Sequence, residues 1–159
     1  MVLAKIGMAI SLVVIIVQDL RDHRIWWFIF PVFAAMGSYL FLSTTFWEIY
    51  VRIVGVNAII LASFFLVLFT YIRVILKKKN LTDAFGLGDV LLYIGLMVSF
   101  PTITFVLLLL ILPVFALVLN QVLGKGKVDH IPLAGYIGIF LLGLYIAHWM
   151  GFYDNLYAL

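Results

Sequence analysis

The most constraining feature of this chain is a series of long, uninterrupted apolar runs. They cover about residues 2–19, 25–42, 49–76, 84–119 and 131–150, and short polar segments separate them. A helix that crosses a bilayer needs about 20 mostly apolar residues. Hydrophobic residues make up 67% of the chain and charged residues only 11%, whereas a soluble domain has about 45–50% and about 25%. The sequence therefore predicts an all-α, polytopic membrane protein.

The fourth run is too long for a single span, and Pro101 lies near its middle. Proline lacks a backbone N–H and disfavours helical geometry in the residue before it. We therefore divide this run into spans at about 84–100 and 102–120. The result is a bundle of six transmembrane helices that forms a single membrane-embedded domain over residues 1–159.

The basic residues support the division into six spans. With the N-terminus outside, 8 of the 10 Lys and Arg residues fall on inner loops, whereas a five-span arrangement leaves 6 there. Cytoplasmic loops carry an excess of Lys and Arg, so both termini are predicted on the non-cytoplasmic side. A net charge of +3 on so few charged residues fits membrane orientation and not nucleic-acid binding. The inner basic residues are Arg21, Arg24, Arg73, Lys77, Lys78, Lys79, Lys125 and Lys127.

Two acids adjoin the inner ends of predicted spans. Asp19 ends the apolar run of the first helix, and Asp89 follows a Gly-Leu-Gly segment at the start of the fourth. If the fourth helix begins near Ala84, Asp89 lies about 8 Å along it. The first helix runs inward and the fourth outward, so both carboxyl groups are predicted at one depth, just inside the cytoplasmic face. Ionisable groups in membrane segments are costly and point to function.

Two facing carboxyl groups have a specific chemistry. Like charges a few ångströms apart cannot both ionise cheaply, so the pair shares a proton. The ionised member activates a water, and the protonated member polarises a carbonyl and then protonates the leaving amine. This aspartic peptide hydrolysis needs no metal and no cofactor, and the chain has no Cys to supply a thiolate. Gly86 and Gly88 suit it, because they let a substrate strand approach and the helix start loosen.

Each acid also has a simpler interpretation. Asp19 fits an interfacial acid, and Asp89 fits a helix N-terminal acid stabilised by the helix dipole. Two other functions stay open: a carrier or channel in which acids relay protons or cations, and a pilus-assembly scaffold with structural acids. A relay needs acids through the membrane depth, whereas the outer half holds only Glu48 and Asp154.

Three segments resemble the motifs of type IV prepilin peptidases. Residues 19–25, Asp-Leu-Arg-Asp-His-Arg-Ile, are similar to the first motif, in which an Asp precedes basic residues and Ile. Residues 86–90, Gly-Leu-Gly-Asp-Val, resemble the second motif. Residues 130–135, His-Ile-Pro-Leu-Ala-Gly, resemble the stretch that leads into the last span of that family. The resemblance extends over nearly the whole chain.

This resemblance implies a membrane aspartic endopeptidase without a metal or cofactor. Such enzymes remove the short basic leader from prepilin, pseudopilin or archaellin precursors at the cytoplasmic face of the cell membrane. On the motif match, Asp19 and Asp89 are the catalytic pair, and Gly86 and Gly88 are the motif glycines. The implied partners are a prepilin-like membrane protein and the lipid bilayer, with no nucleic acid, and the oligomeric state is left open. Three further inner acids have two interpretations, attraction of the basic leader or, as the favoured one, solvated loop acids that balance nearby Lys and Arg: Asp22, Asp83 and Asp129.

The chain departs from the family pattern in two places. The first motif often closes with Ile-Pro-Asn, but here Ile25-Trp26-Trp27 stands in its place, so the entry into the second helix is expected to differ. The Cys-rich cytoplasmic domain of the bifunctional members is missing, which implies no N-methylation. Presenilin-like proteases share a Gly-x-Gly-Asp motif, but they are larger and carry a Pro-Ala-Leu motif that this chain lacks.

Other polar and small residues in the spans are interpreted structurally. Asn57 is predicted to form an interhelical hydrogen bond, and His148 to lie at the membrane interface. Gly135, Gly138 and Gly143 are predicted to let helix backbones approach one another in the last span.

Overall fold

Six helices account for most of the described chain. The structure, a computed structural model, describes residues 1–22, 25–74, 86–123, 132–152 and 155–157. Within these ranges the regular structure is entirely helical, which confirms the predicted class. The elements are α1 (Val2–Asp22), α2 (Ile29–Leu42), α3 (Trp47–Val74), α4 (Leu87–Ser99), α5 (Thr102–Val122), α6 (Leu133–Trp149) and a short 3₁₀ helix (Asn155–Tyr157).

The helices differ in their capacity to cross a bilayer. By length and composition, α1, α3 and α5 are each long and apolar enough to span it. The helices α2, α4 and α6 are also apolar but have 14, 13 and 17 residues. The structure therefore supports membrane association, while the count of six spans and the side of each terminus stay predictions.

The sites of close contact show how the helices are directed. Gly135 and Gly138 of α6 lie against Asp19 and Ile16 of α1, so these two helices run antiparallel. Gly88 and Gly95 of α4 face Phe30 and Phe33 of α2, so this pair runs parallel. As a result, the last turn of α1 and the first turns of α4 and α6 meet at one end of the bundle. We call this the acid end, because it holds Asp19 and Asp89.

The opposite end is closed by the 3₁₀ helix. Leu156 is fully buried there, and its carbonyl oxygen accepts a hydrogen bond from the Thr104 hydroxyl at 3.2 Å. The Tyr157 ring stacks between Phe41 and Phe100. Apolar and aromatic side chains therefore pack together at this end, whereas Asp19 and Asp89 lie at the acid end.

The break at Pro101 is confirmed. Helix α4 ends at Ser99 and α5 begins at Thr102, and the missing N–H of Pro101 deprives the Met97 carbonyl of its helix donor, four residues on. The buried side chain of Asn57 replaces that donor: its Nδ2 donates to the Met97 and Phe100 carbonyl oxygens, each at 3.0 Å. The predicted interhelical hydrogen bond of Asn57 is therefore confirmed, and it joins α3 to the end of α4.

We expect Asn57→Leu to lower the free energy of unfolding by about 1–2 kcal/mol, in the upper range for a hydrogen bond between membrane helices. Two carbonyl oxygens at the end of α4 then lose their side-chain donor. Unfolding in mixed detergent micelles measures the change. Ser63→Ala is the control, because its hydroxyl donates only within α3, to the Ile59 carbonyl; an equal loss in both variants would contradict the account.

Two predictions about local structure are wrong, the start of the fourth helix and the packing role of Gly143. The fourth helix does not begin near Ala84, since Gly86 is extended (φ −70°, ψ 148°) and the helix starts at Leu87. The second helix begins at Ile29, inside the apolar run that starts at about residue 25, because the chain forms a turn at 27–28. Gly143 packs no helix, as a Cβ there would meet nothing within 4 Å, whereas Gly135 and Gly138 do face α1.

Several sequence features lie outside the described residues. They are Arg24, Lys77–Lys79, Asp83, Lys125, Lys127, Asp129, the first two residues of segment 130–135, and Asp154.

Candidate active site

The two predicted catalytic acids both lie at the acid end. Asp19 is in the last turn of α1 and only 9% exposed. Asp89 is the third residue of α4 and is partly buried. Their carboxyl groups are close enough to interact electrostatically. The structure thus brings together, from α1 and α4, the pair of residues that the sequence singled out.

The carboxyl group of Asp19 is held by the first turn of α6. Its Oδ2 accepts a hydrogen bond from the Gly135 backbone N–H at 2.6 Å. Gly135 is the third residue of α6, and Pro132 precedes the helix. The first N–H groups of a helix have no partner within it, and they carry the positive end of the helix dipole. A carboxylate at this position therefore satisfies an otherwise unpaired donor.

Asp89 is held by the backbone of Gly86 and lies near the backbone at the start of α6. Its Oδ2 accepts a hydrogen bond from the Gly86 N–H at 3.2 Å, and its own N–H donates to the Gly86 carbonyl at 3.1 Å. The backbone N–H of Ala134 is a second donor beside this carboxyl group. Ala134 and Gly135 are adjacent, so consecutive amides at the start of α6 serve the two acids.

Gly86 and Gly88 have different surroundings. Gly86 is exposed, and a Cβ there would lie 3.3 Å from the Asp89 Oδ2. A Cβ on Gly88 would meet the Phe30 ring at 3.4 Å and Ile25 at 3.6 Å, which are ordinary contact distances. The absent side chain of Gly88 therefore faces α2, and that of Gly86 faces the Asp89 carboxyl group. Their part in admitting a substrate strand stays a prediction.

The entry into α2 shows what replaces the Pro of the motif. The backbone N–H of Trp26 donates to the Gln18 Oε1 at 3.0 Å, a bond that a proline at position 26 could not form. Gln18 directly precedes Asp19, so this bond ties the turn to the end of α1. Trp26 and Trp27 are largely exposed, as expected for aromatic residues at a membrane interface.

Several groups at the acid end were not predicted from the sequence. The amides of Ala134 and Gly135 carry no side-chain signal, so only the three-dimensional packing of α6 on α1 reveals them. Tyr93, one turn after Asp89, is buried within reach of its charge. Asn120 and Tyr136 each bury a side-chain oxygen that has no hydrogen-bond partner among the described residues. Of these, only Asn120 is conspicuous in the sequence, because it begins an Asn-Gln pair directly after a long apolar run.

The remaining predicted features add little to this site. Asp22 ends α1, and its side chain, like the loop acids, is not described. In the described ranges, no group of three or more His, Cys, Asp or Glu side chains is placed to hold a metal ion. Chemically, the arrangement offers two carboxyl groups within electrostatic range of one another, near backbone N–H donors at one end of an apolar bundle.

Comparisons of the chain with protein-family models, with curated proteins and with solved structures found no match.

Proposed function

We propose that this protein is a membrane aspartic endopeptidase that removes short basic leaders from prepilin-like precursors. The observation that carries the proposal is the convergence of Asp19 and Asp89 on the first turn of α6. Two carboxyl groups held side by side are what a metal-free hydrolysis of an amide bond requires. The resemblance of residues 19–25 and 86–90 to prepilin peptidase motifs supports the same chemistry.

The mechanism divides the work between the two acids. One carboxylate takes a proton from a water, which attacks the carbonyl carbon of the scissile peptide bond. The other, protonated, donates a hydrogen bond to that carbonyl oxygen. The C–N bond then breaks, and a carboxyl proton passes to the leaving amine. The backbone donors at Gly86, Ala134 and Gly135 keep the carboxyl groups in place through this sequence.

The location of the pair fits the proposed substrate. In the six-span arrangement, the acid end faces the cytoplasm, both termini lie on the other side, and the basic inner loops obey the positive-inside rule. A precursor with a membrane helix preceded by a basic leader would present its cleavage site at this depth. The inner loops are rich in Lys and Arg, so attraction of the basic leader is assigned to the ionised member of the acid pair at short range, while the apolar helices accept the membrane segment.

Among the described residues, the arrangement of acids disfavours a relay. Acidic residues of the helices lie in end turns: Asp19 and Asp22 in α1, Glu48 in α3 and Asp89 in α4. A proton or cation carrier needs ionisable groups at intermediate depths. The carrier therefore remains the alternative to be tested and is not the preferred function.

A reconstituted cleavage assay tests the proposal. The purified protein is mixed in lipid vesicles with a single-span peptide that carries a short Lys- and Arg-rich leader, and mass spectrometry identifies any new N-terminus. We expect one cleavage at the leader boundary, and slower cleavage when the leader bases are replaced by Gln. Intact peptide alongside proton flux that depends on the two acids would favour the carrier and overturn the peptidase.

A further inference from the structure

We propose that Gly135 is a positioning residue that sets the place of the Asp19 carboxyl group; this inference rests on the proposed function. The Gly135 N–H donates to the Asp19 Oδ2 at 2.6 Å. A Cβ at position 135 would lie 3.2 Å from both the Cβ and the Oδ2 of Asp19, and 3.3 Å from the Leu20 Cγ. The same residue therefore donates to the acid and leaves room for it.

The donor is available because of its place in the helix. Gly135 is the third residue of α6, so its N–H has no acceptor inside the helix. The first helical bond of this turn runs from the Tyr136 N–H to the Pro132 carbonyl at 3.2 Å. At the edge of a bilayer an unpaired amide is costly, and Asp19, buried at this contact, supplies the acceptor.

The glycine is required by the close approach of α6 to α1. Three residues further on, a Cβ at Gly138 would come within 2.8 Å of the Ile16 side chain. Gly135 and Gly138 thus lie on one face of α6, and their small size lets α6 approach α1. Of these two glycines, only Gly135 lies against Asp19. Substitutions at positions 135 and 138 can therefore distinguish an effect on helix packing from an effect on the position of the carboxyl group.

A methyl group at position 135 would act on catalysis through Asp19. The Asp19 side chain lies tightly against that position, and its carboxyl group would have to move by a few tenths of an ångström or more. The hydrogen bond would lengthen, and the separation from the Asp89 carboxyl group would change. Because catalytic groups must be held closely in place, such a displacement lowers turnover more than it lowers substrate binding.

Three matched alanine variants test this in the cleavage assay. We expect Gly135→Ala to reduce kcat about 100-fold with KM changed less than about threefold. Gly138→Ala disturbs the same α1–α6 contact without touching the acid, so it should lower the unfolding midpoint while kcat of the folded protein stays within about threefold. Gly143→Ala, in open space on the same helix, should match the wild type. An equal loss of kcat in Gly135→Ala and Gly138→Ala would show a packing role only and overturn the inference.

An ester replacement isolates the hydrogen bond from the packing. Glycolic acid incorporated at position 135 replaces the N–H by an ester oxygen, which cannot donate, and adds no side-chain atom. We expect kcat to fall about tenfold or more, as for loss of a hydrogen bond to a charged group, with little change in the unfolding midpoint. The hydroxy-acid analogue of Tyr at position 136 is the control, since it removes a helix bond and no donor to an acid. Wild-type kcat in the 135 ester would overturn the inference.

The two proposals fail in different ways. If the wild-type protein cleaves no prepilin-like peptide, the proposed function is overturned and the inference falls with it. If the wild type cleaves, and Gly135→Ala and the ester at position 135 have the same kcat as Gly138→Ala and the ester at position 136, the proposed function stands and the positioning role of Gly135 is wrong.

Discussion

Asparagine in place of either Asp19 or Asp89 is expected to abolish leader cleavage, with a fall in kcat of about 10⁴-fold or more. An amide can neither take a proton from water nor donate a carboxyl proton, so each substitution removes half of the pair. Both side chains keep their size and can still accept the hydrogen bond from Gly135 or Gly86. The loss should therefore appear in turnover without loss of the folded bundle, and cleavage kinetics on purified protein measure it.

Acids outside the pair provide the controls. Asp22→Asn and Asp83→Asn retain cleavage if those residues are solvated loop acids, and Glu48→Gln, at the opposite end of the bundle, should match the wild type. Unfolding midpoints of all variants show whether a loss is structural. Full cleavage by Asp89→Asn would rule out the two-acid mechanism, and equal losses in Asp89→Asn and Glu48→Gln would assign the effect to stability.

Gly37→Ala is expected to lower the free energy of unfolding by about 2–3 kcal/mol, the upper range for overpacking a core. A Cβ at position 37 would overlap the Ser99 Oγ and lie 2.6 Å from the Ser99 Cβ. Ser99 is fully buried in α4, so the parallel helices α2 and α4 must separate to admit the methyl group.

A compensating substitution makes the second prediction specific. In the double variant Gly37→Ala/Ser99→Gly, the side chain that the new methyl group would strike is absent. We expect the double variant to recover about 1–2 kcal/mol relative to the sum of the single changes, as for residues in direct contact. Gly55→Ala is the control, since a Cβ there meets nothing within 4 Å. Additive losses would contradict the close contact of α2 with α4.

Apolar length and the position of Pro101 were sufficient to predict most of the helices. Bilayer-crossing segments must satisfy their backbone groups internally, so an apolar run predicts a helix with few alternatives. Helix ends were harder, because they depend on local geometry. Gly86 adopts an extended conformation stabilised by the Asp89 side chain, and this contact places the start of α4 three residues later than expected.

The acid pair was predictable because ionisable residues are rare in such a chain and few arrangements explain them. What holds the pair was not predictable. Backbone amides of Ala134 and Gly135 have no signature in the sequence, and they become donors only when α6 packs against α1. For the same reason, Gly135, Gly138 and Gly143 look alike in the sequence, although their surroundings in the bundle differ.

Cysteine cross-linking tests the central claim, that carboxyl groups from α1 and α4 lie side by side. The chain has no native Cys, so Asp19→Cys/Asp89→Cys contains the only two thiols. The pair Asp19→Cys/Gly135→Cys is the positive control, since the Cβ atoms would lie 3.2 Å apart, near the spacing of about 3.5–4.5 Å found in disulfides. We predict that a bis-methanethiosulfonate reagent with an ethylene spacer links the two cysteines of Asp19→Cys/Asp89→Cys within one molecule. The same reagent should not link the cysteines of Asp19→Cys/Glu48→Cys. Thiols at 19 and 89 that each react singly but never link, while 19 and 135 do, would contradict the account.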